Sequence, residues 1–195
     1  MSPPGAGAAP GGATVRVVGF AGSLRKASFN RALLRAAVES APEGMTIETL
    51  EIRGIPVYDA DLEAEGDPAP VAEFKRAVGA ADGLLIATPE YNYGVPGVTK
   101  NVIDWASRPP RKSVLDGKPV AVMGATPGTW GTARGQAQLR QAFTFTNSYA
   151  MQQPEILVAR AREKFDDEGR LVDDTTREYL GKFLAAFADW IARVG

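Results

Sequence analysis

The chain contains neither cysteine nor histidine. Disulfides, zinc sites of Cys/His type, thiol nucleophiles and Ser-His-Asp triads are therefore all excluded. An enzyme made from the remaining residues works through carboxylates or takes its chemistry from a bound cofactor. The absence of cysteine fits a cytoplasmic chain. Charge of one sign is also lacking: 22 Lys and Arg stand against 23 Asp and Glu, for a net charge of −1. A general nucleic-acid binder needs a basic face, so no nucleic-acid partner is expected. Long hydrophobic runs are missing too. None approaches the roughly 20 residues of a membrane span, so no span is expected. The opening MSPPGAGAAPGG lacks the basic start and apolar centre of a secretory signal. Its Pro, Gly and Ala content reads as a disordered tail over residues 1–13.

What is present is an ordinary soluble composition. The 195 residues are 45% hydrophobic and 23% charged, enough for one domain with a proper core over residues 14–195. Short, nearly continuous apolar runs predict strands at Thr14–Phe20, Met45–Glu51, Gly83–Thr88, Pro119–Gly124 and Glu155–Ala159. Helical periodicity predicts Ser28–Ser40, Pro70–Gly79, Val98–Ser107, Ala133–Thr146 and Asp173–Arg193. In the last, Leu180, Phe183, Leu184, Phe187, Trp190 and Ile191 form one apolar stripe. Strand and helix alternate, which implies an α/β fold: a doubly wound five-stranded parallel sheet with helices on both faces. Rossmann-like and flavodoxin-like strand orders both remain open. Each places ligands at the carboxyl ends of strands.

Three segments that follow strands carry chemistry. The first is Gly22-Ser-Leu-Arg-Lys-Ala-Ser-Phe-Asn30. It closes a strand and opens a helix, where free N–H groups and the helix dipole favour an anion. Ser23, Ser28 and Asn30 add neutral donors, and Arg25 and Lys26 add charge. A plain capped helix would need only Ser28. Neither G-x-G-x-x-G nor G-x-x-x-x-G-K-[ST] is complete here, so a mononucleotide phosphate fits better than a dinucleotide. The second segment is Thr88-Pro-Glu-Tyr-Asn-Tyr-Gly-Val-Pro-Gly97. Its prolines and glycines make a stiff turn, and Tyr91 and Tyr93 are plates for a planar ring. Surface packing of those tyrosines is the plainer alternative. Glu90 is a candidate general base, against the commoner case of a solvated Glu whose backbone makes the contacts. The third segment is Gly124-Ala-Thr-Pro-Gly-Thr-Trp-Gly-Thr-Ala-Arg-Gly135, where glycines allow close approach to a ligand. Trp130 lines a pocket, packs against a partner subunit or sits in the core. Trp105 reads as core or interface.

The first two motifs, in this order and followed by Lys100-Asn-Val-Ile-Asp-Trp105, resemble the NADPH-dependent FMN reductase family. This is the flavodoxin-like group that includes chromate, quinone and azo-dye reductases. The resemblance runs from about Val15 to the C-terminal helix. It implies non-covalent FMN, with the phosphate held by Ser23, Arg25, Ser28 and Asn30 within a loop completed by Gly22, Leu24 and Phe29. Pro89, Glu90, Tyr91, Asn92 and Tyr93 are implied to line the ring. The turn of Ala125, Thr126 and Gly128 is implied to touch the ring or the ribityl chain. One departure is Ala125, where a Ser is common in the family. The resemblance further implies hydride transfer from NADPH or NADH to FMN, then to a small-molecule electron acceptor: a quinone, chromate, an azo compound or a flavin. Ping-pong kinetics and a homodimer or homotetramer are expected, with no side chain needed as acid or base. A non-enzymatic electron-transfer protein of flavodoxin type and a nucleotide-binding regulator are the alternatives. Arg108, Arg111 and Lys112 are the cations considered for a 2′-phosphate, against the reading of a solvated basic loop.

Overall fold

Apolar runs of five to seven residues, each too short for a helix, form the centre of the sheet. They are β1 (Val15–Ala21), β3 (Gly83–Ala87) and β4 (Pro119–Ala125), with β2 (Met45–Leu50) at one edge. The computed structural model describes residues 14–195, so the tail expected over residues 1–13 lies outside the described residues. Every residue of β3 and β4 is buried, as helices on both faces require. All pairings are parallel and the order is β2-β1-β3-β4-β5. Of the two orders left open, this is the flavodoxin-like one.

The fifth position differs from expectation. It is shared by β5 (Tyr149–Ala150), paired with the start of β4, and β6 (Ile156–Val158), paired with its end. Between them the chain leaves the ladder. Met151 still donates to the Val120 carbonyl at 2.8 Å while its side chain enters the core; beyond it, Pro154 has no N–H to donate to a neighbouring strand.

The helices are α1 (Phe29–Glu39), α2 (Ala60–Glu65), α3 (Ala69–Ala80), α4 (Gly97–Ala106), α5 (Ala133–Phe145) and α6 (Asp174–Val194). A 3₁₀ turn spans Ala161–Glu163. Helix α2 was not expected; it buries none of its residues, so no apolar stripe marks it. Side chains alternate across the sheet with a period of two. Val17, Leu85, Ala121 and Met123 face α1 and α6. Val18, Leu84, Ile86, Val120 and Val122 face α3, α4 and α5. The predicted α6 stripe is buried except at Trp190, whose indole N–H donates to the Tyr149 carbonyl at 2.8 Å. Trp105 is fully buried and donates to the Pro56 carbonyl at 2.9 Å. Among the described residues no helix is long and apolar enough to cross a membrane.

Candidate functional site

Because the strands are parallel, the segments after β1, β3 and β4 emerge on one side. Specific bonds then fix their spacing. Asn30, at the start of α1, is 3% exposed. Its Nδ2 donates to the Ala125 carbonyl at 2.9 Å, and its Oδ1 accepts from the Ala125 N–H at 2.9 Å. This two-bond latch joins the first segment to the third. Gly22 donates to the Ala87 carbonyl at 2.8 Å. A Cβ there would lie 2.1 Å from Thr99 Oγ1, so only glycine lets the first segment run this close to α4.

A cleft of about 330 Å³ opens between the segments. That is within the roughly 300–1,000 Å³ of small-molecule sites. Ser23, Arg25, Ser28, Phe29, Asn30, Pro89, Glu90, Tyr91, Ala125 and Thr126 line it, together with Pro127 and Arg162. Gly22, Leu24, Asn92, Tyr93 and Gly128 do not. Leu24 packs toward the α3–α4 core, and its carbonyl accepts from the Arg53 guanidinium. Gly128 is exposed, and its carbonyl accepts from the Arg160 N–H at 2.8 Å.

One end of the cleft suits an anion. Ser28 is the N-cap of α1, its Oγ accepting from the Asn30 N–H at 3.2 Å. Ser23 Oγ accepts from the Arg25 N–H at 3.4 Å, which leaves its own proton free to donate outward. The N–H groups of Ser23, Lys26, Ala27 and Phe29 have no acceptor among the described residues. The Arg25 guanidinium is exposed and lies 5.7 Å from the Phe29 ring centroid.

The other end is rigid and aromatic. Tyr91 and Gly94 exchange N–H···O bonds of 3.1 and 2.9 Å around a tight turn. Its central residues, Asn92 and Tyr93, both have positive φ, 52° and 64°, the pattern of a type I′ turn. That geometry turns Tyr93 away from the cleft, where the Arg134 guanidinium stacks 4.2 Å from its ring centroid.

Glu90 is neither solvated nor free to act as a base. Its Oε2 accepts from the N–H groups of Arg134 and Gly135 at 2.9 and 3.0 Å. Those are orphan donors in the first turn of α5, whose N-cap Thr132 makes no side-chain cap. Glu90 is thus a helix cap supplied from another loop. Trp130 is not in the core: it is 67% exposed, and Arg134 lies 5.1 Å from its ring centroid. Arg162, from the 3₁₀ turn, was missed by sequence reasoning, since no motif surrounds it. Arg108 pairs with Glu63 at 2.9 Å. The basic loop that follows it leads into the start of β4, at the amino-terminal ends of the strands, away from the cleft at their carboxyl ends.

The clearest pKa shifts serve structure. The Tyr58 hydroxyl and the Arg108 guanidinium hold the Glu63 carboxyl below its ordinary value. Lys164 and Thr176 bring Asp173, the N-cap of α6, down to about 2. Among the described residues no group of three or more Asp or Glu could hold a metal ion.

Comparison with known proteins matches this architecture. The sequence fits the NADPH-dependent FMN reductase family over residues 15–163. It is 46% identical to an NAD(P)H-dependent FMN reductase of Pseudomonas aeruginosa over 180 residues, covering 92% of this chain and 97% of that one. A quinone reductase of Escherichia coli is 42% identical over 183 residues, covering 92% and 97%. Among solved structures, the flavoenzyme NAD(P)H:acceptor oxidoreductase FerB of Paracoccus denitrificans superimposes with a TM-score of 0.85 at 36% identity, covering 93% of this chain and 99% of that one. With its motifs, strand order and cleft accounted for, the chain belongs to the NADPH-dependent FMN reductase family.

Proposed function

We propose that the cleft holds FMN non-covalently and that the protein is an NAD(P)H-dependent oxidoreductase that reduces quinones. The observation that carries this reading is the cleft's polarity. Unpartnered N–H groups, two serine hydroxyls and Arg25 gather at one end, and Pro89 and Tyr91 stand at the other. A phosphate on a flat heteroaromatic ring fits that order. Bound FMN supplies the hydride and electron chemistry.

The residues of the chain do the rest. Ser23, Ser28 and Arg25 hold the phosphate by charge-assisted hydrogen bonds. The Asn30–Ala125 latch keeps the anion end and the third segment at a fixed distance. The Tyr91–Gly94 turn and the Glu90 cap keep the aromatic wall from moving. The Glu90 carboxylate is already committed to α5, so it does not take part in proton transfer, and solvent supplies protons. Nicotinamide and acceptor use the same opening in turn, which gives ping-pong kinetics. Among acceptors, quinones are favoured over chromate, azo compounds and free flavin, because quinone reductases recur among the relatives. A homodimer or homotetramer is the proposed assembly.

The test uses the purified protein. Heat denaturation should release free FMN, identified by chromatography. NADPH or NADH should bleach the yellow protein, and initial rates with 1,4-benzoquinone should give parallel double-reciprocal lines. A protein that neither carries nor takes up FMN would overturn the reading.

A further inference from the structure

A second cleft, of about 520 Å³, adjoins the first. The two share Arg25, Ser28, Phe29 and Arg162 as lining residues, so they meet along one wall. Phe29 and Phe165 form an apolar wall of the second cleft, their ring centroids 5.9 Å apart. Its rim carries charge of both signs: Asp166, Asp167 and Glu168 on one side, and Arg25, Lys26, Arg35 and Arg162 on the other. Arg170 pairs with Asp166 at 2.7 Å and with Glu168 at 3.1 Å. Arg35 is also engaged, donating to the carbonyls of Glu168 and Gly169 at 3.2 and 3.0 Å. Lys26 and Arg162 are not: neither has a carboxylate partner among the described residues.

We propose that this second cleft seats the adenosine end of NADPH, with Lys26 and Arg162 reading its 2′-phosphate. The proposal rests on the reading of the first cleft as the FMN site. An apolar wall beside two uncommitted cations is the chemistry that recognises a purine carrying a phosphate dianion. The first cleft has its own anion donors in Ser23, Ser28 and Arg25; Lys26 lies outside it, and Arg162 stands where the two clefts meet. The basic loop at Arg111 and Lys112 does not compete for this role, because it leads into the start of β4, at the end of the strands away from both clefts.

The experiment uses FMN-loaded protein, so that the first phosphate site is filled. Isothermal titration calorimetry compares 2′,5′-ADP with 5′-AMP. The parent should bind 2′,5′-ADP about a hundredfold more tightly, the scale of two charge-assisted hydrogen bonds. Lys26→Gln and Arg162→Gln should each lower that affinity by about tenfold and leave 5′-AMP binding within about twofold. The double variant should no longer discriminate. In parallel, KM for NADPH should rise with Lys26→Gln, whose side chain does not line the first cleft, while KM for NADH stays close to the parent. Equal binding of the two probes by the parent overturns the proposal, as does discrimination that survives in the double variant. FMN loss from Arg162→Gln would assign Arg162 to the first cleft and overturn its role here. Failure of the functional reading looks different: neither nicotinamide bleaches the FMN-loaded parent, whatever the calorimetry gives.

Discussion

Asn30 separates two ways of building the same site. Its place in the first motif suggests a phosphate ligand, whereas the structure commits its amide to the backbone of Ala125. Asn30→Ala leaves the N–H and C=O of Ala125 without partners where Ala125 is only 2% exposed. An orphaned buried polar group costs about 1–3 kcal/mol. Taking the two as partly additive, the variant loses about 2–4 kcal/mol. For a domain of this size that lowers Tm by about 4–16 °C. Asn30→Asp keeps the acceptor for the Ala125 N–H but sets a carboxylate oxygen against the Ala125 carbonyl. Its folded-state pKa is therefore raised, so the deficit shrinks as pH falls and the carboxyl takes a proton. The assay is thermal unfolding of flavin-free protein, which removes the contribution of ligand binding to Tm. FMN affinity, read from fluorescence quenching, should fall in both variants as the segments lose their spacing. If flavin-free Asn30→Ala melts within about 1 °C of the parent while FMN affinity collapses, Asn30 is a phosphate ligand and the latch is wrong.

Arg25→Ala should weaken FMN binding by about tenfold, more than Ser23→Ala does, with Tm of the flavin-free protein unchanged; equal retention of FMN by variant and parent would remove Arg25 from the site. Gly22→Ala should destabilise by about 1–3 kcal/mol through overpacking, because the new Cβ meets Thr99 Oγ1. Adding Thr99→Ala should recover part of that loss in chemical denaturation, and no recovery would place the strain elsewhere. Glu90→Ala removes the cap of α5 and should cost about 1–2 kcal/mol, while Glu90→Gln keeps an acceptor and should cost less. A Gln variant with parental Tm and kcat down about 100-fold would instead make Glu90 an acid or base. Asp173 has a depressed folded-state pKa, so its contribution is present above the ordinary value of 3.8 and is lost as pH falls through about 2. Asp173→Asn should flatten that part of the acid unfolding curve, and an unchanged curve would contradict the assignment.

The elements that build the sheet were legible because their signal is local. An apolar run between turn residues reads as a buried strand wherever it lies, and β1, β3 and β4 fall within a residue or two of expectation. The α6 stripe was legible for the same reason. The signal failed where one residue's behaviour depends on a distant one. The fifth strand is split because β4 offers two separate pairing stretches, a fact about β4 that residues 149–158 do not carry. Glu90 caps a helix that begins more than forty positions later, and the weakness that recruits it is the missing cap at Thr132.

The same limit governs the site. Ser28 and Asn30 are two residues apart in one motif and look alike as hydrogen-bonding groups. Ser28 completes a helix start, a local task, so sequence could assign it. Asn30 bonds a residue 95 positions away, and nothing in its own neighbourhood distinguishes that use from contact with a ligand. A motif therefore marks which residues serve the cleft, while the division between those that touch the ligand and those that hold the walls is decided by partners elsewhere in the chain. Arg162 is the extreme case. It belongs to no motif, yet the 3₁₀ turn after β6 brings it to both clefts. Its position follows from Ala161, which is fully buried and donates to the Thr126 carbonyl at 3.0 Å. Tying that turn to the third segment is what puts a cation beside the site, so a substitution at Arg162 changes the charge facing both clefts without touching any motif.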